Sequence, residues 1–355
     1  MIGSGATLLR SADGATAEVH HHGAHVTSWR PAPGDVERLY LSERSDMSAG
    51  AAIRGGIPVI FPQFAAEGPL PRHGFARTSM WTPSEVRADS ASFELRDSAA
   101  TREVWPARFR ALLTVAIGGS RLEVTLSVEN TGDHELSFTA ALHTYLRVLD
   151  IADARITGLQ GASYRDAASG GKLVVDHATS VRAETEIDRV YVNAPRSLTL
   201  HEPARRLRIE TSNFPDVVVW NPGQPRAALL EDMGPGDERH MLCVEAAAVQ
   251  RPVKVAADAR WSATQTLTAS SSDTPDTWSA MSADELGAEA LSPRDGLVQQ
   301  LTQLEAFVAR AEADGEELPA EAIEMVTRLR EIVHALDGLT SMMSQQEQPP
   351  DPERA

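Results

Sequence analysis

Three arginines stand close together in a chain that is otherwise acidic. IRGGIPVIFPQF (residues 53–64) and LPRHGFAR (residues 70–77) carry Arg54, Arg72 and Arg77 among glycines, prolines and aromatics. Gly55 and Gly56 free the backbone, Pro58 and Pro62 exclude a regular helix or central strand, and Gly74 allows a second turn. Planar guanidinium forks on so shaped a loop suit a phosphate or a carboxylate. The same residues could equally be solvated or salt-bridged surface arginines.

Two further residues have proton-transfer chemistry. His143 lies in SFTAALHTYLRV, where Phe138, Ala140 and Leu142 share one face of an extended run. His143 points the other way with Thr139, Ala141 and Tyr145. An isolated histidine there is more often a packed or surface residue at a strand end. Glu245 lies in MLCVEAAAV and faces away from Leu242 and Val244, together with Cys243. An unpaired carboxylate in so apolar a run is costly, so it either pairs with a cation for structure or is held for proton transfer.

Asp188, in ETEIDRVYVN, reads by itself as a local ion-pair or turn residue before a strand. His20, His21, His22 and His25 crowd one segment, but consecutive strand residues face opposite ways and no acidic or cysteine ligands gather with them, so a metal site is not expected. The chain holds no phosphate loop, dinucleotide fingerprint or nucleophile elbow.

The elements that must position these groups are strands. RLEVTLSVEN (residues 121–130) alternates Leu122, Val124, Leu126 and Val128 with polar residues, a period of two with one buried face. Residues 109–117, 137–148, 207–211, 217–220 and 241–246 are further strands, separated by turn signals such as Gly118-Gly119 and Asn221-Pro222-Gly223. Many strands with short turns predict one large antiparallel β domain over residues 1–270. A Ser/Asp/Thr-rich linker is expected over 271–291, a helical hairpin appendage over 292–338, and a disordered tail over 339–355. Ser292-Pro293 reads as a helix start and Gly338 as a stop.

The net charge of −17 over 355 residues argues against nucleic acid or an anionic membrane as the main partner. From Asp273 onward, 18 acidic and 5 basic residues give −13, which leaves the preceding segment at only −4. Lysine occurs only at Lys172 and Lys254, so a cationic site must be built mostly from arginine. The single cysteine, Cys243, excludes an internal disulfide and suits a reducing compartment. Neither a secretory leader nor a bilayer-spanning apolar run is recognisable, so a cytoplasmic location is expected.

Taken in order, GAHVTSW, IRGGIPVIFPQF, LPRHGFAR, ALHTYLRVLDI, ETEIDRVY, VVVWNPG and LCVEAA resemble the hexose-6-phosphate mutarotases, or glucose-6-phosphate 1-epimerases, of the aldose 1-epimerase, galactose-mutarotase-like superfamily. The resemblance spans roughly residues 23–248 and stops at the linker. It implies a mainly β fold, an antiparallel β-supersandwich with a concave sugar-binding face. It implies that His143 and Glu245 are the catalytic pair, and that Arg54, Arg77 and Asp188 contact substrate. Arg72 stands where many members have glutamine, and its added charge would either strengthen phosphate binding or turn to solvent. The expected activity is anomer exchange of a hexose 6-phosphate, with a small sugar phosphate as partner and no cofactor. Two alternatives are an aldose 1-epimerase for unphosphorylated sugars and a non-catalytic sugar-phosphate-binding protein. The helical appendage would serve self-association or a protein contact.

Overall fold

The strand Arg121–Asn130 sets the plan of the domain. Leu122, Val124, Leu126 and Val128 are buried and their intervening neighbours half-buried, as the period of two predicts. The computed structural model describes residues 5–32, 36–166 and 171–271. The expected helical hairpin and tail lie outside the described residues, as does the linker except for Ser271, which ends the last strand.

Among the described residues, two eight-stranded sheets and one three-stranded sheet, all antiparallel, make up the domain. The outer sheet runs in space from Arg155–Thr157 through Ser197–Glu202, Arg205–Ser212, Arg260–Ser271, Arg121–Asn130, Phe109–Gly118 and Ser90–Arg96 to Thr82–Val86. The site sheet runs from Leu173–Val175 through Ser163–Asp166, Ile187–Val192, Asp216–Asn221, Met241–Val255 and Leu136–Leu142 to Val59–Ile60. Its eighth strand, Tyr145–Arg147, also pairs with Met241–Val255.

The main core contains Leu113, Leu122, Val124 and Leu126 of the outer sheet with Phe138, Leu142, Val219 and Val244 of the site sheet. Each such side chain contributes roughly 1.5–3 kcal/mol by leaving water. The site sheet is buried on its second face as well. Ile60, Ala141, Val190, Val218, Ala247 and Val249 form one small cluster there, and Tyr40, Tyr145, Met233, Met241 and Cys243 form another. Burial of both faces explains why MLCVEAAAV shows no polar alternation.

One expectation needs correction. Residues 137–148 do not form a single strand: Leu136–Leu142 ends before His143, and Tyr145–Arg147 begins a new pairing. A buried polar bridge supports the break. Thr144 donates its hydroxyl proton to Gln265 Oε1 (2.5 Å), and Gln265 Nε2 donates to the Val244 carbonyl (3.0 Å). The outer sheet thereby holds the neighbours of both His143 and Glu245, leaving no buried polar group of this bridge unpaired. Among the described residues, no helix is long and apolar enough to cross a membrane.

Candidate active site

Strand register builds the centre of the site. Leu142 opposes Ala246, so His143 emerges beside Glu245 on the face away from the main core. His143 Nδ1 and Glu245 Oε1 lie 3.4 Å apart. The two groups are not aligned as a hydrogen bond, and both Nδ1 of His143 and Oε2 of Glu245 are buried without a partner among the described residues. His143 is 9% exposed and Glu245 2%. Burial raises the Glu245 carboxyl well above its ordinary range, Asp188 adds to the rise, and Arg72 opposes it. Burial likewise lowers His143 well below its ordinary value, helped by His73, Arg54 and Arg77. Both shifts favour the neutral pair.

The arginine loop is stitched to these strands. His143 N–H donates to the Pro58 carbonyl (3.0 Å) and Tyr145 N–H to that of Gly56 (2.9 Å). Gly55 and Gly56 have φ of +116° and +60°. A Cβ on Gly56 would lie 2.2 Å from the Val26 carbonyl oxygen, and one on Gly55 2.4 Å from that of Tyr40, so only glycine fits. Buried His25 donates from Nε2 to the Gly55 carbonyl at 2.7 Å, bracing the turn from beneath. The second motif docks on the first, because the Phe61 carbonyl accepts from the N–H groups of both Phe75 and Ala76 (3.1 Å each).

The arginines have different roles in this setting. Arg54 donates from Nε to Asp232 Oδ2 (3.0 Å) and from Nη1 to the Tyr145 hydroxyl (2.9 Å), and its Nη2 lies at ion-pair distance from the same Oδ2 (3.0 Å). Burial opposes its charge, but Tyr145 and Asp232 more than offset this and hold it protonated. Arg77 has no carboxylate within ion-pair distance among the described residues. Its Nη2 donates to the Arg72 carbonyl (3.1 Å) while its buried Nε has no partner. Burial, reinforced by Arg54 and Arg72, lowers its pKa, so an anion there would relieve a local excess of positive charge. Arg72 is exposed, and its charge reaches both Asp188 and Glu245. Asp188 opposes Trp220, which opposes Cys243, so Asp188 stands on the same face as the pair; burial raises its carboxyl.

Three residues of the site were not singled out from the sequence. His73 packs edge-on against His143, with ring centroids 5.7 Å apart. Its Nδ1 accepts the Ala65 N–H (3.3 Å), which assigns the ring proton to Nε2. Burial first, then Arg77, Arg72 and Arg54, lower its pKa to about 3, so it is a neutral donor at pH 7. Tyr145 stacks on His143 at 4.8 Å with the planes 8° apart, and Trp220 meets both rings edge-on at 6.0 Å. A histidine flanked by two arginines in PRHGFAR was the available signal for the first, and the i, i+2 spacing of His143 and Tyr145 for the second. Trp220 reaches the site only through sheet register.

The grouped histidines separate as the alternation requires. His20 pairs with Glu18, His21 with Thr7, and His22 Nε2 with the Ala51 carbonyl. Among the described residues, no group of His, Cys, Asp and Glu could hold a metal ion.

Two packed antiparallel sheets carry a buried His–Glu pair on the face of the site sheet away from their shared core, and comparison with known proteins assigns the domain to a class of sugar epimerases. Residues 6–268 match the family model for aldose 1-epimerase, and the chain belongs to that family. A protein of Cenchrus ciliaris named "putative glucose-6-phosphate 1-epimerase" is 35% identical over 268 residues, covering 72% of this chain and 81% of its own. One of the same name from Escherichia coli is 35% identical over 243 residues, covering 66% and 80%. A crystal structure of a "putative mutarotase" from Salmonella typhimurium superposes with a TM-score of 0.69 at 29% identity, covering 75% of this chain and 90% of that one. A galactose mutarotase related enzyme of Lactobacillus acidophilus, 16% identical with a TM-score of 0.63 over 76% of this chain and 99% of that one, shares the fold.

Proposed function

We propose that this protein interconverts the α and β anomers of hexose 6-phosphates, glucose 6-phosphate foremost, by acid–base opening and reclosure of the sugar ring. The observation that carries this reading is the buried His143–Glu245 pair, 3.4 Å apart, with an unpartnered polar atom on each residue. Unsatisfied buried groups of this kind are tolerated where a substrate completes them.

Anomer exchange needs one proton removed and one supplied. Glu245, as carboxylate, takes the proton of the C1 hydroxyl. The C1–O5 bond breaks, the C1 oxygen becomes the aldehyde carbonyl, and His143, as imidazolium, protonates O5. Rotation about C1–C2 presents the other carbonyl face, and both transfers reverse as the ring closes. The pair returns the same proton count that it began with. Its reactive form, carboxylate beside imidazolium, is a tautomer of the neutral pair, reached by moving one proton. Charge separation in a buried site is costly, so sugar oxygens and Arg72 must favour it when substrate is present. His73, neutral with its proton on Nε2, supplies a hydrogen bond to a sugar oxygen.

The arginines account for the phosphate. Arg77 has an unpartnered buried Nε and no carboxylate partner among the described residues. Arg54 commits Nε and one N–H of Nη1 to hydrogen bonds, which leaves other guanidinium N–H groups for an anion. Binding energy from the phosphate end then orients the reacting end. Asp188 accepts from a sugar hydroxyl on the same face.

The test is anomer exchange followed by NMR on glucose, glucose 6-phosphate and galactose 6-phosphate with one enzyme preparation. Acceleration confined to the phosphorylated sugars is expected. Equal acceleration of glucose would assign an aldose 1-epimerase for neutral sugars. Binding of the phosphates without acceleration would assign a sugar-phosphate-binding protein.

A further inference from the structure

Neither ring nitrogen of His143 has a hydrogen bond among the described residues. Its Nδ1 approaches Glu245 at 3.4 Å without hydrogen-bond alignment, and no polar atom of another described residue meets the ring in hydrogen-bond geometry. Histidines used in proton transfer are commonly oriented by a hydrogen bond from the second nitrogen to a carboxylate or backbone carbonyl. Something else must set the plane of this imidazole.

The ring contacts supply it. His143 and Tyr145 are two residues apart, so their side chains leave the backbone on the same face. Their rings lie nearly parallel, 8° apart in plane with centroids at 4.8 Å. Trp220 and His73 touch His143 only by edge-on contacts, at 6.0 and 5.7 Å. The stacked tyrosine therefore defines the imidazole plane, and the other two rings limit its rotation.

Tyr145 is itself held at several points. Its N–H donates to the Gly56 carbonyl (2.9 Å), and its own carbonyl accepts the Tyr40 N–H (3.0 Å). Its hydroxyl accepts from Arg54 Nη1 (2.9 Å), and Arg54 is fixed in turn by a hydrogen-bonded ion pair with Asp232. Trp220 closes on the ring edge at 6.0 Å. A side chain that serves only to fill space does not need its far end tied to an arginine–carboxylate pair.

We propose that Tyr145 is the positioning residue for His143, with Arg54 and Asp232 as its anchor. Asp232 holds the guanidinium, the guanidinium holds the phenol oxygen, and the phenol ring holds the imidazole in the plane required for transfer to the sugar ring oxygen. This inference deepens the proposed function and rests on His143 acting in that reaction. Arg54 thereby has two duties on separate N–H groups, an anchor for Tyr145 and a contact for anionic substrate.

The test combines kinetics with NMR of the full chain labelled at histidine. The His143 ring protons of the wild type should show upfield ring-current displacement. In Tyr145→Leu that displacement is lost and kcat falls by about 10²-fold, while KM for glucose 6-phosphate stays within about twofold, because misplacement of a reacting group by about 1 Å costs that much in rate. Tyr145→Phe keeps the ring and restores the displacement. Its remaining deficit in kcat is less than about tenfold, the worth of one hydrogen bond. Should Tyr145→Leu fail to fold, Asp232→Ala replaces it, since that side chain lies at the half-exposed end of the chain of contacts. It is expected to shift the His143 signals and lower kcat several-fold. Wild-type kcat or unchanged His143 signals in the folded variant overturn the proposal. Loss of KM and kcat together with unchanged signals does so too, because it marks a merely structural tyrosine. The ring signals do not depend on turnover, so they decide the Tyr145 contact even if the wild-type chain proves inactive on every hexose 6-phosphate.

Discussion

His143 and Glu245 face each other across 3.4 Å at the junction of two adjacent strands, each with a buried polar atom that has no hydrogen-bond partner among the described residues. Burial drives the two groups in opposite directions, the carboxyl up and the imidazole down. Such an arrangement costs stability and is suited to receiving a substrate that offers one hydroxyl and one ether oxygen.

The first consequence concerns activity. His143→Ala or Glu245→Gln should each reduce anomer exchange of glucose 6-phosphate by about 10² to 10⁴-fold, the usual contribution of a positioned acid or base. The circular dichroism spectrum should be unchanged. Full exchange activity in either folded variant excludes the mechanism.

A second consequence concerns stability and pH. Glu245 has a folded pKa above its unfolded value near 4.5, so its favourable contribution is complete below that value and is lost as pH rises through the folded pKa. Glu245→Gln has no charge to bury. Its melting temperature should exceed that of the wild type at pH 8, and the gap should narrow towards pH 5. A gap that stays constant with pH rules out a carboxyl raised by burial.

Acid should act on the histidine beneath the arginine loop. Burial lowers His25 to about 3 from an unfolded value of 6.5, with the Gly55 bond opposing. The unfolded chain therefore binds a proton that the folded chain refuses. The stability involved is complete above pH 6.5 and is lost as pH falls towards 3. Denaturant midpoints of His25→Gln should fall less steeply than those of the wild type across that window. Parallel slopes would refute the assignment.

Phosphate recognition makes a separate demand. Arg77→Ala should raise KM for glucose 6-phosphate by about tenfold or more, the worth of a charge-assisted hydrogen bond, with far less effect on any residual activity towards glucose. Equal losses on both sugars would move Arg77 from phosphate reading to structure.

The loop geometry can be tested directly. Gly56→Ala places a Cβ 2.2 Å from the Val26 carbonyl oxygen at a φ of +60°. It should cost more than about 1–3 kcal/mol, since steric overlap is added to backbone strain. Chemical denaturation measures the loss, and a neutral effect would show that the turn relaxes freely.

Much of this molecule was legible in the chain itself. Alternation in RLEVTLSVEN fixes the face of one strand by the pleat alone, and Gly55-Gly56 with Pro58 and Pro62 predicts a shaped loop, at whose centre the structure places the short edge strand Val59–Ile60. The residue types of His143, Glu245 and the three arginines are sufficient to suggest proton transfer and anion binding. Local sequence had no means of showing that residues 137–148 break at His143. At that break Gln265, distant in the chain, bonds Thr144 and the Val244 carbonyl. Trp220 was illegible as a site residue for a similar reason, because its neighbours are set by strand register.

The sequence by itself determined the faces of clearly alternating strands such as Arg121–Asn130, the glycine turns and the inventory of reactive groups, because side-chain alternation and glycine conformation are properties of a few adjacent residues. Tertiary structure alone decided which groups meet. It set Glu245 beside His143, committed two N–H groups of Arg54 to Asp232 and Tyr145, and left Nε of Arg77 without a partner among the described residues. Distances between strands, burial and the pKa shifts that follow from burial belong to the packed sheets. They have no counterpart in an unfolded chain, where each of these groups is paired with water.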